Sequence, residues 1–165
     1  MRRLLPFTVI LLALLSLAGQ SCSDDSCYDN GSSLPLAALY VGESQQTVTG
    51  LTIMGIGAPG DSLLADASAL SEVYLPLRAS ATTTSYLIQR SFTSGNASSL
   101  INDTLTIDYQ PVEYFHSTEC GAMFNFNLKK VTATSHGIDS VVVLNTLVTN
   151  SHTPSLRIHF TDINP

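Results

Sequence analysis

Three cysteines carry the most specific chemistry this chain offers: Cys22, Cys27 and Cys120. In an oxidising compartment an odd number leaves one thiol over unless it is used in another way. Cys22 has such a use. Small residues, Ala18, Gly19 and Ser21, stand before it, where a signal peptidase needs them and where a diacylglycerol thioether can be added to the sulfur. If Cys22 is lipidated, Cys27 and Cys120 remain as a natural disulfide pair, and closing that loop would stabilise the fold by up to about 4–5 kcal/mol. Gly19 and the bulky Gln20 depart from the usual lipoprotein pattern, and the alternative is plain secretion with Cys22 as a free thiol.

The residues before Cys22 support export. Arg2 and Arg3 precede an apolar run from Leu4 to Leu17, the charged and hydrophobic regions of a signal peptide. That run is shorter than the roughly 20 residues a membrane span needs, and no other segment approaches that length. The expected organisation is a cleaved signal over 1–21, a lipidated tether over 22–33 rich in Ser, Asp and Gly, and one domain over 34–165. Two or three acyl chains, such as palmitate, hold a protein to a bilayer stably where a single chain does not.

Charge narrows the partners. The formal net charge of −6 becomes −8 once Arg2 and Arg3 leave with the signal. The remaining basic residues are Arg78, Arg90, Lys129, Lys130 and Arg157, too scattered to track phosphates, so nucleic acid is not an expected partner. Anionic headgroups are disfavoured on the same ground, which leaves lipid to do the anchoring.

Other motifs are weaker. Gly55-Ile56-Gly57-Ala58-Pro59-Gly60 has the spelling of a dinucleotide loop, but such a loop must open a helix and be followed by an acid about 20 residues on. Pro59 disfavours that helix start, so a glycine-rich turn between strands is expected, with no nucleotide and no cofactor. His116 and Glu119, with Asp108 and Glu113 nearby, could form a metal or acid/base cluster, although a loop leading into a disulfide accounts for them too. No nucleophile elbow is present, and the chain reads as non-enzymatic. There is no Trp, so a sugar platform would have to use Tyr114 and Phe115 as ligand contacts. Asp61-Ser62-Leu63, Asp103-Thr104-Leu105 and Asp139-Ser140-Val141 are similar to the Asp-Ser/Thr-apolar acceptor of the Bacteroidota O-glycosylation system, which makes Ser62, Thr104 and Ser140 candidate sites; an Asp/Ser turn opening a strand is the alternative.

These residues need strands to position them. Leu36 to Val41 is apolar and ends at Gly42; Leu51 with Ile53, and Val73, Leu75 with Leu77, alternate with their neighbours. Leu105, Ile107 and Tyr109 alternate with Thr104, Thr106 and Asp108, and Ala122, Phe124, Phe126 and Leu128 do the same, as do Leu156, Ile158 and Phe160. Val141 to Leu144 is continuously apolar, the pattern of a strand covered on both faces. Asp61 to Leu70 is the one short helix candidate. The expected fold is all-β: an antiparallel β-sandwich, immunoglobulin-like or similar, of 7–9 strands.

Cys27 behind an acidic tether, "GIG" followed by "DSLL", "LPL" at Leu75 to Leu77, "DTLTIDY" at Asp103 to Tyr109 and "CG" at Cys120-Gly121 together resemble a small Bacteroidota envelope lipoprotein family of unknown function. Ser23-Asp24-Asp25 likewise resembles the signal that follows the lipidated cysteine in surface-exposed lipoproteins; a solvated acidic linker is its rival. The resemblance implies an outer-membrane lipoprotein, facing the periplasm or the cell surface, with a β domain and a Cys27–Cys120 bond. The expected role is a binding or accessory module for another envelope protein. A small glycan- or peptide-binding lipoprotein is the alternative, and a hydrolase using His116 and Glu119 the third reading.

Overall fold

The structure is a computed structural model that describes residues 33–59, 62–94, 97–118 and 120–162. The signal, Cys22 and Cys27 lie outside those residues, as do Asp61 and Glu119. Eleven strands run in chain order: β1 Leu36–Val41, β2 Ser44–Gln45, β3 Val48–Gly55, β4 Leu63–Leu70, β5 Glu72–Tyr74, β6 Thr83–Ser94, β7 Ala97–Ser117, β8 Gly121–Ala133, β9 Ile138–Val143, β10 Leu147–Val148 and β11 Pro154–Phe160. There is no α-helix among the described residues.

The strands form two sheets. One has the order β2-β1-β11-β9, with β5 also on β1; the other has the order β10-β8-β7-β6-β3-β4. All pairs are antiparallel except β1 with β11, which run parallel with Ala37 opposite Leu156 and Leu39 opposite Ile158. Alternation then decides the core. Ala37, Leu39, Leu156, Ile158 and Phe160 of the first sheet face Leu51, Ile53, Tyr86, Ile88, Leu105, Ile107, Tyr109, Phe126 and Leu128 of the second. On the opposite face of the first sheet, the Arg157 guanidinium lies 4.5 Å above the Tyr40 ring, whose other neighbour is the His159 ring at 5.2 Å.

Three expectations are corrected. Eleven strands are present among the described residues rather than seven to nine, because β2 and β10 have two residues each and the pattern of β6 is blurred. The helix candidate over 61–70 is instead β4, an edge strand along β3. Its Ala and Leu residues favour a helix in isolation, but pairing with β3 overrides that propensity. Val141 to Leu144 is not covered on both faces: β9 is an edge strand, and Val142 and Leu144 are 43% and 42% exposed.

Candidate functional site

β7 and β8 are much longer than the sandwich they belong to. Their ladder runs from Leu105 opposite Ala133 to Ser117 opposite Gly121. β6 accompanies β7 only as far as the Thr83 and Asp108 pair, and β10 covers β8 only at Phe126 and Asn127. Past those points the hairpin projects without a flanking strand among the described residues. Pro111, Glu113 and Phe115 lie opposite Phe126, Phe124 and Ala122, continuing the face on which Tyr109 and Phe126 meet edge to face at 5.4 Å. The core ends before Phe115, which is 70% exposed, the largest value among the described exposed apolar side chains.

Period two separates the two candidate ligand contacts. Tyr114 pairs with Met123 on the other face and stands edge-on to His116, centroids 6.1 Å apart. Tyr114 and Phe115 therefore do not form one platform. Nor are the nearby acids gathered on His116: Asp108 accepts the Thr83 hydroxyl at 2.8 Å, and no group of three metal-ligating side chains occurs among the described residues.

Beneath the hairpin, the segment after β5 is pinned by two buried tyrosines. The Tyr109 hydroxyl accepts the Arg78 N–H at 3.0 Å and donates to the Arg78 carbonyl at 2.9 Å, with Thr84 Oγ1 a further 2.9 Å partner. The Tyr86 hydroxyl donates to the Pro76 carbonyl, and burial, helped by the neighbouring Tyr109, pushes its pKa far above the ordinary phenol value. This segment and the Gly55 to Pro59 turn enclose an apolar cavity of about 220 Å³ with Tyr86 in its wall. The turn itself is not a phosphate loop. Gly57 takes φ +70°, Ala58 N–H donates to Gly55 O at 3.1 Å, and the chain continues into β4.

The three candidate glycosylation positions differ in access. Ser62 and Ser140 are exposed, whereas Thr104 is half-buried inside β7. Its neighbour Asp103 is 3% exposed and holds the β8–β9 loop: it accepts the Thr134 hydroxyl at 2.7 Å and the N–H groups of His136, Gly137 and Ile138 at 2.9, 2.7 and 3.0 Å. Burial by itself would raise this carboxyl's pKa; the four hydrogen bonds outweigh it and hold the pKa below the ordinary value. Cys120, in the β7–β8 turn, donates its N–H to Ser117 Oγ at 3.1 Å.

Two arrangements have no counterpart in the sequence reading. Tyr74 Oη lies 2.6 Å from His152 Nδ1, and His152 Nε2 lies 3.6 Å from Glu72, but all three side chains are solvated. The other is Arg90, 7% exposed at a core-facing position of β6. Its signal was available: Thr84, Tyr86, Ile88 and Arg90 alternate, and the last is a charge where the pattern asks for an apolar residue.

No curated protein and no solved structure matches the chain. A family model does, over residues 50–160, which run from the Gly50 bulge of β3 through the projecting hairpin to the end of β11. That is well over half of the sequence, and the chain belongs to this family of unknown function, DUF6452.

Proposed function

We propose that the chain is a lipid-anchored, non-enzymatic envelope protein that binds another envelope protein through the projecting β7–β8 hairpin. The observation that carries this reading is Phe115, an aromatic side chain 70% exposed at the end of a hairpin that extends the core face past the sandwich. Aromatic anchors of this kind dominate binding energy when a partner buries them. The export signal and Cys22 would supply the anchor at the outer membrane, and a Cys27–Cys120 bond would tie that anchor to the turn at the tip of the same hairpin.

Replacing Phe115 with a photo-crosslinking phenylalanine derivative in cells tests the binding role. A discrete, light-dependent adduct with an envelope protein is expected; adducts only with lipid or with none would overturn it. Intact mass spectrometry tests the anchor. The expected species starts at Cys22 and carries acyl chains; a mature chain starting upstream of Cys22 removes the lipoprotein reading. Glycan or peptide binding remains the second reading, and the Arg90 region favours it over the Tyr114 and Phe115 pair.

A further inference from the structure

At the end of the sandwich where β1 and β11 stop, a cavity of about 310 Å³ is lined by Gln46, Thr47, Thr49, Arg90, Phe92 and Asp162. Arg90 Nη1 donates to the Thr161 carbonyl at 2.9 Å, and its guanidinium stands 5.8 Å from the centre of the Phe160 ring. Its buried Nε has no acceptor. Native folds rarely retain an unsatisfied buried donor, least of all on a charged group, without a use for it.

A second, independent feature builds the same cavity. Val48 and Leu51 both face the core although three positions apart, because the ladder shifts register between them. The extra residue is accommodated at Gly50, with φ +68°; a Cβ there would stand 2.2 Å from the Ser91 carbonyl oxygen. Only glycine fits. The ladder with β6 ends at the Leu51 and Arg90 pair, Ser91 Oγ donates to the Gly50 carbonyl at 3.2 Å, and Thr49, the next residue out, lies in the cavity wall. Bulges re-aim side chains beside binding sites.

The lining selects the ligand's chemistry. An anion would meet the Asp162 carboxylate, and a cation would meet Arg90. A neutral polyol suits both, since each hydroxyl can accept from the guanidinium and donate to the carboxylate. Thr47, Thr49 and Gln46 add further donors and acceptors, and Phe92 offers a face for C–H groups. The volume lies at the low end of small-molecule sites, roughly 300–1,000 Å³, as befits one ring. We infer that this cavity binds a single sugar residue, using Arg90, Asp162 and Thr49 as its polar contacts.

The test titrates glucose, galactose, mannose, xylose, N-acetylglucosamine and inositol into the full chain, held in a detergent without a sugar headgroup. The Arg90 Nε–H resonance, identified by its loss in Arg90→Lys, is followed by NMR. At least one sugar is expected to shift it saturably at millimolar concentration. Thr49→Val and Asp162→Asn are each expected to weaken that binding at least tenfold with an unchanged melting temperature. The inference is overturned if no sugar in the set moves the resonance, if both variants bind as well as wild type, or if acetate or inorganic phosphate moves it at lower concentration than any sugar.

Discussion

Asp103 Oδ2 accepts the Gly137 N–H at 2.7 Å across 34 positions of sequence. That bond and its neighbours fasten the β8–β9 loop, and with it the strand that crosses to the other sheet, onto the middle of β7. Asp103→Asn keeps the shape but turns one acceptor oxygen into an NH₂ group facing backbone N–H donors. Each buried donor left without an acceptor costs about 1–3 kcal/mol. A loss of about 2–4 kcal/mol in urea unfolding is expected, with the core otherwise intact.

The same carboxylate gives a pH signature. Its pKa in the folded chain is below the ordinary value, so its contribution is fully present above the unfolded value of about 4 and is lost as pH falls through the lower folded value. The stability gap between wild type and Asp103→Asn should thus be constant from pH 7 to about 5 and shrink below about 4. Urea midpoints measured across that range check the sign; a gap that widens on acidification contradicts the assignment.

Two glycines with similar dihedral angles should respond differently. Gly57 has φ +70° with open space where a Cβ would go, so Gly57→Ala should cost only the left-handed penalty of about 1–2 kcal/mol. Gly50, at φ +68°, carries that penalty and a Cβ placed 2.2 Å from Ser91 O, so Gly50→Ala must displace backbone. Thermal unfolding of the two variants should show at least about twice the loss at Gly50.

Where alternation was clean, the fold was readable. Leu36 to Val41 coincides with β1, and the runs around Leu105, Phe126 and Ile158 fall within β7, β8 and β11. β6 was missed because Leu87 sits on the outer face between Tyr86 and Ile88 and blurs the period, and because its flanks are Ser and Thr. The site was less legible. Phe115 gains its meaning from how far β7 and β8 outrun β6 and β10, a property of pairing rather than of local sequence. The Arg90 cavity brings together Thr49 of β3, Arg90 of β6 and Asp162 beyond β11, which no local pattern links.

Tyr109 is the joint between the hairpin and the segment beneath it. Its hydroxyl serves Thr84 and both backbone groups of Arg78 while its ring lies in the core. Tyr109→Phe keeps the ring and removes all three bonds, at a cost of about 1–3 kcal/mol. Hydrogen exchange should locate the damage: the Arg78 amide is expected to exchange much faster while amides of β1 and β11 keep their protection. Uniformly faster exchange would mean that the hydroxyl supports the whole domain instead.

Phe115 and Tyr114 offer a control that only a strand can provide. They are adjacent, aromatic and on opposite faces of the hairpin. Phe115→Ser removes a side chain that is 70% exposed, so its effect on melting should lie within about 0.5 kcal/mol. If a partner buries the core-facing side, capture from gently solubilised membranes should fall at least tenfold in Phe115→Ser and stay near wild type in Tyr114→Ser. Equal losses in both variants would mean that the hairpin tip is gripped on both faces, and equal retention would remove the hairpin from the interface altogether. Because neither change touches the core cluster, a fall in capture without a fall in melting temperature isolates recognition from folding.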